Sequence, residues 1–274
     1  MAQEEQQQPD RGDDRPWLKR PQGVVSLIGG VLGIVTAVTG LLFLFVPGWR
    51  PGSEPPKLKL VDFDVDKLAN IRADWSVAEE PQPPLTDWKS SVVTLVVRNE
   101  REDPVLVRDA VFHFSGIEEV GCPYGAGGGE VRAGYDVKVP PATRAPYEQV
   151  RKTKLTVPPH QQTHLDFTVG PATVYDGSLP VVYRFTMTLH TDAGTIEIPE
   201  VALLDPSHTD AVLEAAAEAV KDGGAAGFTT VSCVREQARR AREIVATAGH
   251  ASPELKDYSA ELTRLTALAP TPRG

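Results

Sequence analysis

VVYRFTMTL, residues 181–189, decides the reading of the chain. Val181, Tyr183, Phe185, Met187 and Leu189 take every second place, while Arg184, Thr186 and Thr188 lie between them. Successive side chains of an extended segment point to opposite faces, so this alternation predicts a strand with one face buried and the other in water. Leu165, Phe167 and Val169 repeat the pattern between His164, Asp166 and Thr168, as do Thr153, Leu155 and Val157 around Lys154 and Thr156. VVTLVVRN, residues 92–99, is apolar on both faces at its start and predicts a central strand.

Further strands are expected at 57–65, 105–114, 131–139 and 195–203. NEREDP, residues 99–104, reads as a polar turn that would join 92–98 and 105–114 as a hairpin. About eight strands with no helical period between them predict an antiparallel β-sandwich of the broad immunoglobulin-like kind. No Cys–Trp–Cys core signature supports an immunoglobulin domain proper. The 47 Pro and Gly residues suit a turn-rich β fold.

The period changes to a helical one after residue 204. Ser207 and Asp210 read as a capping box before VLEAAAEAVKDGG, with Gly223 as the stop. A second helix is expected over 230–248, striped by Val231, Val234, Ala238, Ala241, Val245 and Ala248. A third begins at Ser252 and Pro253 and carries Leu255, Tyr258, Leu262 and Leu265. Short antiparallel helices pair with their neighbours by default. The second helix also offers a possible partner face in Val231, Val234, Arg235, Ala238, Arg239 and Arg242.

On the other side of the strands lies GVVSLIGGVLGIVTAVTGLLFLFV, residues 23–46, with no charge in it. About 20 apolar residues cross a bilayer, so this run predicts one transmembrane helix. A cleaved signal peptide would have a shorter apolar region ending in small residues, whereas this one runs into VPGWRPG. Trp17 and Trp49 stand where interfacial aromatics sit. Arg11, Arg15, Lys19 and Arg20 precede the span and Arg50, Lys57 and Lys59 follow it. The Lys19–Arg20 pair close to the span and the acidic tail favour a cytoplasmic N-terminus at the plasma membrane and a main domain outside. Gly29, Gly33 and Ala37 form a strip along which a second helix can approach, although glycine is also simply common in membrane helices. The expected plan is a polar tail (1–22), the span (23–46), a Pro-rich stalk (47–57), the sandwich (58–204), a helical module (205–268) and a disordered end (269–274).

The net charge of −9 argues against nucleic acid as a partner. Arg and Ala usage suits a GC-rich bacterial genome. Cys122 and Cys233 are the only cysteines; a disulfide between them would close a loop of about 110 residues and stabilise the domain by about 4–5 kcal/mol. Two unrelated thiols are the alternative. GAGGGE, residues 125–130, fails as a phosphate loop because no Lys follows and a strand succeeds it. Asp62, Asp64 and Asp66 offer hard oxygen ligands on one strand face, but Lys67 stands where a calcium loop needs Gly. His160, His164 and Asp166 would need a turn in PPHQQTH to share a zinc. His113 reads as a strand residue on the polar face. Arg235, Arg239, Arg240 and Arg242 are interleaved with Glu236 and Glu243, which suits a solvated face as well as an anionic partner.

No hydrolase, zinc-protease or paired-cysteine motif occurs, so no catalytic residue and no cofactor is expected. The chain reads as a membrane-anchored extracytoplasmic interaction or scaffold protein, with a protein partner or a homodimer as its assembly. A cytoplasm-facing tethered adaptor and a metal-dependent or hydrolase-like enzyme of unfamiliar type are the alternatives.

Overall fold

A computed structural model of the chain describes residues 58–269, apart from 78–79, 126–128 and 176, and omits the side chains of 66–68, 77 and 129–132. The fold is mainly β, with two sheets packed as a sandwich and three C-terminal helices. The first sheet has the order β6-β8-β3-β1-β5-β9: β6 is Val137–Val139, β8 Gln162–Pro171, β3 Leu85–Asn99, β1 Leu58–Val77, β5 Gly129–Arg132 and β9 Val174–Tyr175. The short β2 (Glu80–Pro81) adds to β1. The second sheet has the order β14-β11-β10-β4-β7: β14 is His250–Ala251, β11 Gly194–Leu204, β10 Val181–Thr191, β4 Val105–Glu119 and β7 Tyr147–Val157. All pairings are antiparallel except β6 with β8 and β14 with β11.

The two-residue period places the core. Tyr183, Phe185, Met187 and Leu189 of β10 turn inward, as do Leu165, Phe167 and Val169 of β8 and Val93, Leu95 and Val97 of β3. Phe112, Phe114, Phe167 and Phe185 meet there, with ring centroids 5.3–6.5 Å apart.

Several expectations are corrected, among them the strand expected at 131–139, which is two short strands, β5 and β6, on separate partners. Residues 92–98 and 105–114 do not form a hairpin: β3 pairs with β1 and β8, and β4 with β10 and β7. The polar segment between them crosses from one sheet to the other, a span of about 10 Å against under 5 Å for paired strands. Asn99 holds the crossing: its amide donates to the carbonyls of Asp103 (2.8 Å) and Val157 (3.0 Å), and its Oδ1 accepts from the Arg101 N–H. The first strand also runs on to Val77, because irregularities at Leu60/Asp62, Asp66/Leu68 and Ile71/Ala73 break the period without ending the pairing.

The helices are α1 (Thr209–Asp222), α2 (Val231–Thr247) and α3 (Pro253–Leu268), with a small hairpin of β12 (Ala225–Ala226) and β13 (Thr229–Thr230) between the first two. They bury Val212, Ala216, Val234, Ala238, Leu255, Tyr258, Leu262 and Leu265 against one another and against Val182, Ala202 and Leu204, which project from the outer face of the second sheet. Thr230 Oγ1 caps α2 by accepting from the Cys233 N–H, and Ser252 Oγ caps α3 by accepting from Leu255 N–H, with Pro253 following. The Ser207 capping box does not form: the cap of α1 is His208 at φ 59°, and the Ser207 hydroxyl donates instead to Asp205 Oδ1 at 2.7 Å. A buried carboxylate outcompetes the helix end for that hydroxyl.

Gly170 lies against Tyr135, where an added Cβ would stand 2.2 Å from the ring. The ring is buried and its hydroxyl is held at both sides, so it has nowhere to retreat. Gly170→Ala is expected to lower unfolding stability by about 1–3 kcal/mol, measured by chemical denaturation. Gly125→Ala, where a Cβ meets nothing within 4 Å, should leave it unchanged.

Candidate functional site

Where the two sheets and the helices meet, the second sheet ends and the chain turns into α1. A cleft of about 680 Å³ opens there. One wall is the end of β4, residues 117–119, and the start of β10; a second is the loop after β6, residues 140–144, with Pro171 and β9; α2 contributes Gln237 and Arg240. The loop wall is stiff in its sequence (PPATR), and Thr143 closes it through Oγ1 and N–H, both donating to the Pro140 carbonyl.

Asp205 and Ser207 line the floor, and a chain of polar groups runs from them into the sandwich. Trp88 Nε1 donates to the Tyr135 hydroxyl at 3.2 Å, and that hydroxyl donates to Asp205 Oδ1 at 3.0 Å. Ser207 adds its N–H and hydroxyl to the same oxygen. Asp205 is 2% exposed. Burial pushes its carboxyl above the usual carboxylate range, and the Ser207 and Tyr135 hydrogen bonds only partly offset this. Burial, then the neighbouring Asp205, raise the Tyr135 and Tyr183 hydroxyls well above the usual tyrosine value. Tyr183 is 2% exposed, lines the cleft, and its hydroxyl makes no hydrogen bond to a described residue.

Charges of both signs sit higher in the walls. Arg240 pairs with Glu118 at 3.4 Å, Glu119 is exposed beside it, and Arg144 faces them from the loop. Tyr175 lies at the mouth, 47% exposed. Such a surface offers hydrogen-bond donors and acceptors, a flat aromatic face and charges of both signs, Glu118 and Glu119 against Arg144 and Arg240 with Asp205 buried below. Of its residues, the sequence reading singled out Arg240 as part of the arginine cluster, Ser207 as a helix cap, and Val181 and Tyr183 as the core face of a strand. Asp205 carries one weak signal, an acid directly after the buried VALL of β11.

The other candidates lie elsewhere. Cys122 and Cys233 are joined, with Cα atoms 6.1 Å apart, and tie the end of the sandwich to the first turn of α2. Val231, Val234 and Ala238 are buried inside the chain, so the apolar part of the expected partner face belongs to the helical core. Arg239 is held by Glu236 and Glu243 on its own helix, each at 2.5 Å, and Arg242 donates to the Ala238 carbonyl. The structure does not gather His160, His164 and Asp166: His160 turns away at φ 54° to pair with Glu102 at 3.2 Å, while His164 and Asp166 stand exposed on β8. Asp62 and Asp64 face solvent from β1, and the Asp66 side chain lies outside the described residues. Among the described residues no three His, Cys, Asp or Glu side chains assemble as metal ligands would. Gly29, Gly33 and Ala37 also lie outside them.

His113 stands on the open face of the second sheet, with Nδ1 3.1 Å from Glu148 and Nε2 3.4 Å from Thr188 Oγ1. The carboxylate–imidazole–hydroxyl order resembles an acyl-transfer triad, but the Thr188 hydroxyl donates its one proton to Glu197 at 2.8 Å. The set is a cross-strand polar ladder. Lys152, Asp109 and His190 form the next rung, with contacts of 3.2 and 2.7 Å.

No protein-family model matches the chain, and no curated protein does.

Because the folded carboxyl of Asp205 titrates above its unfolded value of 3.8, its protonated form is the one the fold favours. Its contribution is fully present below that value and is lost as pH rises through the folded one. Asp205→Asn keeps the acceptor and removes the charge. Stability of the natural chain relative to this variant should therefore fall as pH rises above the unfolded value and then level off, measured by denaturant midpoints over a pH series. A difference independent of pH would contradict the assignment.

Proposed function

We propose that the chain is a membrane-tethered binding protein that works outside the cytoplasm. The apolar run of residues 23–46 is its anchor, and a sandwich of the broad immunoglobulin-like kind with a helical cap presents the binding surface. The Cys122–Cys233 bridge carries this reading. Both cysteines of the chain are used in it, and lasting disulfides belong to oxidising compartments. The charge-free length of the run and its basic N-terminal flank support the same orientation. Among the described residues no helix is long and apolar enough to cross a membrane.

Intact cells expressing the full chain test the orientation. After treatment with a membrane-impermeant reductant, both thiols should react with an impermeant maleimide once the protein is denatured under quench, giving two gel shifts; without reductant there should be none. Thiols that stay unreacted until the cells are lysed would place the domain in the cytoplasm and favour the adaptor.

A further inference from the structure

We infer that the cleft below the helices binds an uncharged polyhydroxylated ligand, a neutral oligosaccharide, which deepens the binding role just proposed by giving its partner a chemistry. The inference starts from Tyr183. Its ring is packed in the sandwich core, yet its hydroxyl reaches the cleft without a hydrogen bond to any described residue. Polar groups in folded proteins are almost always satisfied, so a hydroxyl at the cleft wall with no hydrogen bond to a described residue is open to a group that enters. Gln237 repeats the signal on the α2 wall, where its amide oxygen is buried and without a partner.

The charges select the ligand. An anion would meet Glu118 and Glu119, and Arg240 is already paired with Glu118. A cation would meet Arg144 and Arg240 on opposite walls. A neutral ligand incurs neither repulsion. Sugar hydroxyls both donate and accept, so they suit a wall in which carboxylates, a phenol, an amide and guanidinium groups alternate. Tyr175 adds a half-exposed ring at the mouth, an amphipathic plane on which the C–H face of a pyranose can rest. The volume falls within the usual range for small-ligand sites, and two prolines on one wall and the Thr143 turn keep the opening preformed.

The test uses the full chain, solubilised in a zwitterionic detergent without a sugar headgroup, on an array of neutral, anionic and cationic oligosaccharides together with short peptides. Hits are then titrated by calorimetry. A neutral oligosaccharide should bind, with Tyr175→Ala and Tyr183→Phe each weakening it about tenfold, the equivalent of about 1.4 kcal/mol. Tyr183→Phe keeps the ring in the core, so its unfolding midpoint, read in parallel, should stay near that of the natural chain. No binding at millimolar concentration, binding confined to charged glycans or peptides, or binding that neither substitution weakens would overturn the inference. Binding in detergent does not depend on membrane orientation, so failure here leaves the surface tether standing, and a cytoplasmic thiol result leaves the cleft chemistry to be judged by the array.

Discussion

Val182, Ala202 and Leu204 face outward from the second sheet, and the rest of the architecture follows from the need to cover them. Each fully buried aliphatic side chain is worth roughly 1.5–3 kcal/mol. The three helices supply the cover with Val212, Val234, Ala238, Leu255 and Leu262, and bury their own stripes in doing so. The chain can make this return only because β11 ends beside β10 and leads directly into α1. Hydrogen bonds fix the seat: Ser252 N–H donates to the Ala202 carbonyl, the Leu204 N–H donates to Ser252 Oγ, and the Tyr258 hydroxyl donates to the Val120 carbonyl.

The disulfide and the buried Asp205 network have different physical roles. The bridge from Cys122 to Cys233 constrains the unfolded chain across 111 residues. The network, in contrast, places an acid where solvation is poor and lets Tyr135 and Ser207 hold it, with Trp88 donating to Tyr135. A fold has little stability to gain from a desolvated carboxyl, since well-packed apolar groups are often as good. Its position at the floor of a cleft gives it a use.

Much of the fold was legible because it rests on local period. β10 and β8, the inward rows of β3, and the Ser252–Pro253 start of α3 with its Leu255, Tyr258, Leu262 and Leu265 stripe all follow from side-chain spacing alone. What was not legible depends on partners distant in the chain. The expected 92–98/105–114 hairpin is a crossing between sheets, because a six-residue polar link suits either and only long-range pairing of β4 with β10 decides. Ser207 resembles a helix cap in sequence, but Asp205 claims its hydroxyl. The cleft was invisible for the same reason: Tyr175, Tyr183, Asp205 and Gln237 carry no motif and meet only because β9, β10 and α2 converge.

If the helices and the sandwich share one core, they must come apart together. Native-state hydrogen exchange of the full chain, followed residue by residue at α2, α3, β10 and β11, measures this directly. The buried amides of Val234, Ala238 and Leu262 should open with the same free energy as those of Val182, Phe185 and Ala202, equal to that of global unfolding. Helical amides that exchange through a separate opening of much lower free energy, while the sandwich stays protected, would contradict the account, since the cleft would then have a wall that leaves its place.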